Sequence, residues 1–365
     1  MLPHQIRPEH LAEAMGLSVN MLWSFARNMD ACFKPRRMQW DGKKHRPIDP
    51  LYKPPKRLLK KLHRFLQNHH LCHPAAHGGV RRRSTFTSAQ IHVGSRNVWT
   101  RDVTDCYPSI SQAAMFSQLR KLKFQHDTAL VLSMLFTYRD GVPQGSPISG
   151  DALNIFFWPL DQLLASMAGS LKLRYGRNAD DFVWSGSNRE NGDKLAARLE
   201  SEIELLGLKI NEKKKRANGL QTSSDERLVH GISVSKPSGT AISRLQSKKA
   251  LALGEKYVAA CRSVTADSLE AVAVKRAQLA GWMYYCRQAH IGPARTIRQL
   301  LEAGDRHVLK KLRAIGLSSQ KNKWWIIDYR PRRNKPSRNE PKRLANAWRT
   351  RLARMSHKNV VATGL

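Results

Sequence analysis

The pattern of hydrophobic and polar positions changes character along the chain. Residues 8–31 carry hydrophobic side chains at near-helical spacing, and Ser18 is placed to cap a second helix within this range. The stretch RPIDPLYKPP (46–55) breaks the helical pattern. The stretch RLLKKLHRFLQNHHL that follows has large hydrophobic residues on one face and basic residues on the other, which predicts an amphipathic basic helix.

The central part has the alternation typical of strands. Val98, Thr100 and Asp102 alternate and predict a strand that ends at a proline-marked turn. Helices are predicted over residues 111–137, a Gly/Pro loop from 141, and an apolar helix for DALNIFFWPLDQLLASM (151–167). Two strand-like runs flank Asp180 and Asp181 in LRYGRNADDFVWSG, which predicts a hairpin with both carboxylates at its tip.

The last part returns to helices. A helix is predicted over residues 194–206, a second hairpin around RLVHGISVS, and helices with basic faces over about 245–315. The order is therefore helical, then mixed, then helical, which indicates the α+β class.

Charge narrows the range of partners. The 365 residues include 63 Lys and Arg against 28 Asp and Glu, for a formal net charge of +35. Such a field favours a polyanionic partner, most simply nucleic acid. An RNA-coating protein without chemistry has the same charge, so charge alone leaves enzyme and binder open.

Other composition signals point away from membranes and metal-bound cysteines. No apolar run approaches the ~20 residues that a bilayer requires, and no signal-peptide core is present, so we expect no membrane and a cytoplasmic location. The five cysteines form no C-x-x-C pair and are expected to be reduced thiols. The histidines of HHLCHPAAH (69–77) have no second ligand pair at finger-like spacing, which argues against zinc.

The paired aspartates are the candidate chemistry. Two-metal phosphoryl transfer needs carboxylates that hold divalent ions ~3.5–4 Å apart, and Mg²⁺ prefers such hard oxygen ligands. Adjacent Asp180 and Asp181 alone are also an ordinary acidic turn. Asp102 ends the other strand-like segment, so strands paired in one sheet bring all three carboxylates together.

Tyr107 lies five residues beyond Asp102, past the end of the predicted strand. Its ring is placed to lie under the sugar of an incoming nucleotide and to exclude a 2′-hydroxyl, which favours deoxynucleotides. A buried tyrosine without this role is the alternative.

Four motifs, DVTDCYPSI, GVPQGSPIS, NADD and GLKINEKKK, resemble the palm motifs of reverse transcriptases in order and separation. The wider chain resembles the retron class through RPIDP, LKKLHRFLQ, AHGG, SAQIH and VHGISVS, over about residues 10–290. Residues beyond 320 have no counterpart.

The resemblance implies a right-hand polymerase with fingers, palm and thumb, an antiparallel palm sheet, and helical N- and C-terminal regions. The expected parts are an N-terminal helical region (1–34), fingers (35–97), a palm strand with the first catalytic Asp (98–110), fingers and palm helices (111–170), palm (171–240), a helical thumb (241–320) and a basic C-terminal extension (321–365).

The resemblance also implies roles in the chemistry. Asp102 and Asp180 are expected to bind two Mg²⁺ ions with the Val103 carbonyl, and Asp181 completes the acidic triad. Lys214 is the candidate acid that protonates the leaving pyrophosphate. The nucleotide-binding candidates are Arg81, Arg82, Arg83, Tyr107 and Gln144.

RNA contacts are expected outside the acidic cluster. Lys275, Arg276 and Arg287 of the thumb are expected to lie on the template, and tryptophans among cations suit base stacking. The predicted RNA-binding residues are His92, His230, Lys275, Arg276, Arg287, Trp324 and Trp325.

The chain departs from the family pattern at three places. Asn178 stands where Tyr is usual before Ala-Asp-Asp, which puts the positioning of the primer end in question. Ser88–His92 stands for Asn-Ala-x-x-His, and Val229-His230-Gly231 for Val-Thr-Gly, both motifs associated with the retron's own RNA.

The expected partners are a structured noncoding RNA template and primer, its DNA product, deoxynucleoside triphosphates and an effector protein, with antiphage defence as the role. Two alternatives stay open. One is another defence-associated reverse transcriptase with a different RNA or primer, and the other is an RNA-binding protein with a decayed palm.

Overall fold

The computed structural model describes residues 1–40 and 45–314, together with positions 346, 349 and 350. The chain divides into two compact units, residues 1–238 and 239–365. The helices are α1 (Pro8–Met15), α2 (Val19–Arg27), α3 (Lys53–Asn68), α4 (Thr85–Ile91), α5 (Cys106–Ser109), α6 (Gln112–Lys121), α7 (His126–Phe136), α8 (Ser149–Phe156), α9 (Trp158–Ser170), α10 (Arg189–Leu205), α11 (Glu212–Asn218), α12 (Arg244–Arg262), α13 (Leu269–Cys286) and α14 (Ala294–Ala314). The strands are β1 (Arg37–Trp40), β2 (His45–Ile48), β3 (Asn97–Asp102), β4 (Arg174–Asn178), β5 (Asp181–Gly186), β6 (Leu220–Gln221), β7 (Leu228–Val229), β8 (Ile232–Ser233) and β9 (Ala241–Ile242).

The helices at the start of the chain form as predicted. Gly16 adopts the left-handed conformation (φ 73°) that ends α1. The Ser18 hydroxyl then caps α2 by accepting a hydrogen bond from the Met21 backbone N–H at 3.3 Å. The amphipathic helix α3 buries Leu59, Leu62 and Leu66 and leaves most of its basic residues outward.

Two segments differ from their predictions. Residues 37–48, which include a stretch predicted only as a break in the helical pattern, contain the antiparallel hairpin β1–β2, with Trp40 opposite His45. The single apolar helix predicted over residues 151–167 is wrong, because the chain forms α8 and α9 there. Pro159 lies in the first turn of α9, where its missing N–H is tolerated, and its ring does not fit inside a continuous helix.

An antiparallel sheet of four strands, in the order β4-β5-β3-β6, lies at the centre of the first unit. β5 is paired on both sides, with β4 and with β3, and its middle residues are buried. The register places Asp102 of β3 opposite Asp181 of β5. The sequence therefore brings both acidic segments to one end of the sheet, as the strand alternation predicted.

Aromatic packing fixes the sheet against its helices. The rings of Trp99 and Trp184 stack across β3 and β5 at 6.4 Å. Trp184 donates its indole N–H to the Gly192 carbonyl of α10 at 2.9 Å. A Cβ atom at Gly192 would collide with the Trp99 ring, so only glycine lets α10 approach this closely.

The second unit is mainly helical over its described residues. α12, α13 and α14 pack against one another, and β9 is joined to Ile291 by an isolated parallel bridge. Tyr257 of α12 is fully buried, and a Cβ atom at Gly304 of α14 would collide with its ring. The residues beyond 314 assigned to the thumb and the C-terminal extension lie outside the described residues, apart from positions 346, 349 and 350.

The predicted α+β class with an antiparallel sheet is confirmed, and the hairpin predicted around RLVHGISVS forms as β7–β8. Within the part of the chain that the structure describes, no helix is both long and apolar enough to span a bilayer. The predicted domain boundaries stay predictions.

Candidate active site

Three aspartates meet where β3 ends and β5 begins. Asp102 is the last residue of β3 and Asp181 the first of β5, and the two are paired across the strands. Asp180 belongs to the preceding turn, in which Ala179 takes a left-handed conformation (φ 57°). All three line one cleft of about 1140 Å³.

Lys214 and Asn211 hold Asp102 from the side of α11. The Lys214 ammonium lies 2.5 Å from one oxygen of Asp102 and 3.9 Å from an oxygen of Asp181. The Asn211 side chain donates to the other oxygen of Asp102 at 3.1 Å, and its own carbonyl oxygen caps α11 through the Lys214 N–H. Asn211 was not singled out from the sequence, although it lies in the GLKINEKKK motif.

The three carboxylates differ in proton affinity. Burial raises the pKa of Asp180 to about 6, and the negative charges of Asp181 and Asp102 add to the shift. Burial also raises the pKa of Asp102, against the opposing effect of Lys214. Burial acts in the same direction on Asp181, but His230 and Lys214 outweigh it and lower the pKa of Asp181. The cluster thus gathers negative charge that its neighbours only partly balance.

The ligand chemistry of this cluster fits a divalent cation. Its three carboxylates supply the hard oxygen ligands that Mg²⁺ prefers, and Val103 lines the same cleft. Among the described residues no three His, Cys, Asp or Glu side chains are arranged around one metal position. In this structure the Lys214 ammonium is the positive group that contacts Asp102. The cluster fits by charge and donor type, and the two-ion site stays a prediction.

Tyr107 and Gln144 line the same cleft. Burial raises the pKa of Tyr107 to about 12, so its hydroxyl remains neutral. The backbone carbonyl of Gln144 accepts a hydrogen bond from the Asp49 N–H at 2.7 Å. This bond joins the Gly/Pro loop to the end of β2. At Gly145 (φ 123°) a side chain would be strained and would press on Ile48.

The three consecutive arginines lie outside this cleft. The Arg83 guanidinium donates to the carbonyls of Pro74 and Ala76, so it braces its own loop. The Arg81 backbone N–H donates to Gln67 at 2.9 Å, and Arg81 lines a separate pocket of about 450 Å³ with His63. Arg82 takes a left-handed conformation (φ 62°). Triphosphate contacts by these residues stay predictions.

Two of the residues predicted to contact RNA are buried in this structure. His92 is fully buried, and its imidazole is 2.8 Å from the Ser185 hydroxyl. Arg276 is 8% exposed and makes two hydrogen bonds of 2.8 Å to Asp305 in the second unit. Both side chains make these contacts inside the fold, and RNA binding by either residue stays a prediction.

The other predicted RNA contacts fall into three groups. The His230 side chain is 6% exposed and lies between Asp181, 3.6 Å away, and the Ser88 hydroxyl, 3.1 Å away. It therefore contacts the acidic cluster, which the sequence did not predict. Arg287 is exposed and Lys275 is half-buried. Trp324 and Trp325 lie outside the described residues.

The family model described as "Reverse transcriptase (RNA-dependent DNA polymerase)" matches residues 35–225, more than half of the chain. The retron Ec86 reverse transcriptase of Escherichia coli is 30% identical over 44% of this chain and 50% of its own length. The retron Mx162 reverse transcriptase of Myxococcus xanthus is 29% identical over 57% of this chain and 50% of its own length.

The chain thus spans about half the length of the curated relatives it matches. Among solved structures, a telomerase from Candida albicans in complex with a TWJ fragment of telomeric RNA overlaps with a TM-score of 0.44 at 11% identity. This overlap covers 84% of the present chain and 66% of the telomerase chain.

Proposed function

Since the chain belongs to the reverse transcriptase (RNA-dependent DNA polymerase) family, we propose that it copies a structured noncoding RNA into DNA by nucleotidyl transfer with two Mg²⁺ ions. The family match and the retron relatives confirm the predicted resemblance and the right-hand polymerase fold. The observation that carries the proposal is the pairing of Asp102 with Asp181 and the adjacent Asp180 in one cleft.

The residues that line the cleft would have different roles in the reaction. Asp102, Asp180 and the Val103 carbonyl would hold the ions, with Asp181 completing the acidic set. When bound, the ions activate the primer hydroxyl and stabilise the charge on the leaving pyrophosphate. Carboxylate contacts raise the pKa of Lys214 against the effect of burial, so its Nζ keeps a proton that can pass to pyrophosphate.

Two neutral side chains would select and place the nucleotide. The Tyr107 ring, which lines the cleft, would exclude a 2′-hydroxyl and so favour deoxynucleotides. Gln144 would lie against the template base and the nucleotide, on a loop fixed through Asp49.

The retron relatives and the net charge of +35 support a structured RNA as template and primer. An internal 2′-hydroxyl of that RNA would prime synthesis, which yields a branched RNA–DNA product. We extend the proposal to antiphage defence with an effector protein, in the cytoplasm.

Primer extension on an RNA template tests the proposal. We expect the wild type to incorporate deoxynucleotides with Mg²⁺ and the Asp180→Asn variant to lose at least about a thousandfold in rate, because a catalytic carboxylate is removed. Glu190→Gln, the same type of change at an exposed carboxylate of α10 outside the cleft, is the matched control and should keep the wild-type rate. Sequencing of the copurifying nucleic acid identifies template and primer. Wild-type protein that binds its own RNA and incorporates nothing would show an RNA-binding protein with a decayed palm.

A further inference from the structure

Arg177 of β4 carries a charge in the interior of the first unit. Its side chain is 0% exposed, and its guanidinium lies 5.1 Å from the centroid of the Phe157 ring and 5.9 Å from that of the Phe182 ring. A buried charge is strongly unfavourable without a partner. Asp161, also 0% exposed, supplies it through hydrogen bonds of 2.9 Å to Nε and 2.6 Å to Nη2.

The guanidinium has a further partner in the acidic turn. Arg177 Nη1 donates to the Ala179 carbonyl at 2.8 Å. Ala179 is the left-handed residue directly before Asp180. A hydrogen bond from a charged donor to this carbonyl fixes the orientation of the peptide that leads into Asp180. The ion pair is thus tied to the backbone of the turn that carries two of the three carboxylates.

Asn154 of α8 extends this network to the loop before the arginine run. Its oxygen accepts from Arg177 Nη1 at 3.4 Å, and its nitrogen donates to the Gly78 carbonyl at 2.9 Å. A Cβ atom at Gly78 would collide with the Ala179 backbone nitrogen, so this loop lies directly against the turn.

Backbone hydrogen bonds strengthen the same connection. The His77 N–H donates to the Arg177 carbonyl at 2.7 Å, and the Arg177 N–H donates to the Ala75 carbonyl at 2.9 Å. Residues 75–78 therefore run alongside β4 and continue into Arg81–Arg83. The aspartate turn and the arginine loop share one set of buried contacts.

We propose that Arg177 is a positioning residue that holds the Asp180–Asp181 turn in its metal-binding form and, through Asn154, couples this turn to the loop of residues 75–83. The inference rests on the proposed function for its metal. Asp161 serves to keep the guanidinium buried and oriented, so the same ion pair supports both the fold and the site.

Arg177→Lys separates positioning from stability. Lysine keeps the charge beside Asp161 and lacks the planar fork that reaches the Ala179 carbonyl at the same time. We expect the Mg²⁺ concentration for half-maximal primer extension to rise roughly tenfold, as for one lost charge-assisted hydrogen bond. Saturating Mg²⁺ should restore most of the maximal rate.

A direct measurement of metal binding accompanies the kinetics. The Mn²⁺ affinity of the complex with template RNA and a dideoxy-terminated primer, followed by electron paramagnetic resonance, should fall by a similar factor in Arg177→Lys. An unchanged Mn²⁺ affinity with a rate reduced equally at every Mg²⁺ concentration would overturn the proposal and leave a structural ion pair. If the wild type extends no primer, the proposed function fails, and the Mn²⁺ affinities still decide the positioning role.

Two further variants distinguish an effect on the metal site from an effect on folding. Asn154→Ala keeps the ion pair and removes the link to Gly78, so it should raise the Mg²⁺ requirement and the KM for the nucleotide by about threefold each. Unchanged values in a folded Asn154→Ala protein would overturn the coupling. Tyr257→Phe removes one hydrogen bond from the matching buried pair of Arg276 and Asp305 in the second unit. It should lower the unfolding temperature with an unchanged Mg²⁺ requirement, and an equal shift in that requirement would count against a role specific to Arg177.

Discussion

Asp161 in the first unit and Asp305 in the second are held in the same way, and the aspartates of the cleft are held differently. Asp161 accepts from Arg177 and from the Tyr175 hydroxyl at 2.7 Å. Asp305 accepts from Arg276 and from the Tyr257 hydroxyl at 2.5 Å. Each of the two carboxylates thus has a guanidinium and a phenol, which satisfies its charge within the fold.

The cleft aspartates have like charges as neighbours. Burial and the other two carboxylates raise the pKa of Asp180 to about 6, and Lys214 balances only part of the negative charge of the cluster. A satisfied buried carboxylate stabilises the fold only as long as its partner is present. A cluster of carboxylates with too few positive partners lowers stability and attracts a cation. The contrast therefore separates carboxylates that stabilise the fold from carboxylates that are available to a metal ion.

Removal of either satisfied carboxylate should have the largest effect on stability. Asp161→Ala and Asp305→Ala each leave a buried guanidinium without its carboxylate, and we expect each to reduce the free energy of unfolding by about 3–5 kcal/mol. Urea unfolding followed by circular dichroism measures the loss. A loss under about 1 kcal/mol in either variant would show that the buried pair is not needed for stability.

Removal of a cleft carboxylate should have the opposite sign. The pKa of Asp180 is higher in the fold than its ordinary value of 3.8, so the folded state favours the protonated form. Protonation of Asp180 therefore contributes to the free energy of unfolding. This contribution is full below about pH 3.8 and is lost as the pH rises through about 6. Without metal at pH 8, Asp180→Asn should therefore be more stable than the wild type by about 1–2 kcal/mol, discounted for partial exposure.

The pH dependence checks the origin of this gain. The stability difference between Asp180→Asn and the wild type should shrink as the pH falls from 8 to 5, and Mg²⁺ should stabilise the wild type more than the variant. Thermal unfolding over this range measures both. A gain that is independent of pH would assign it to packing rather than to charge repulsion.

His92 adds a buried base to the comparison. Burial lowers the pKa of His92 to about 3, and its Nε2 has no hydrogen-bond partner among the described residues. Because an unfolded histidine titrates near 6.5, stability is full above that pH and is lost as the pH falls towards about 3. At pH 5 we expect this group to reduce stability by about 1–2 kcal/mol relative to pH 7.

His92→Gln tests this acid dependence. Glutamine can still hydrogen-bond to Ser185 and does not titrate, so the variant should show a shallower loss of stability between pH 7 and 5. An identical slope in the two proteins would mean that other groups cause the loss in acid.

Much of the fold could be predicted from local patterns. Alternation predicted the strands that carry Asp102 and Asp181, and the turn residues around Asp180 predicted the hairpin. The break between α8 and α9 was also marked, by Pro159, but the apolar run on both sides hid it. The β1–β2 hairpin is short and exposed over much of its length, so it lacks the burial alternation that reveals a strand.

The partners of the site could not be predicted in the same way. Arg177 is two residues before the turn, but its pairing with Asp161 joins elements that pack only in three dimensions. The sequence shows the positive charge of Arg276 but not its burial against Asp305, so an RNA contact and a buried ion pair could not be told apart. Net charge favours a polyanionic partner, and only packing shows which cations are exposed.

The two phenols test the buried carboxylates while their arginine partners stay in place. Tyr175→Phe and Tyr257→Phe each remove one hydroxyl that donates to a buried carboxylate and leave the arginine pair in place. We expect each to lose about 1–2 kcal/mol of stability, the contribution of one hydrogen bond to a charged group. Neither hydroxyl contacts the Ala179 carbonyl, so the Mg²⁺ requirement for primer extension should not change. A raised Mg²⁺ requirement in Tyr175→Phe alone would show that the carboxylate itself, and not only the guanidinium, controls the aspartate turn.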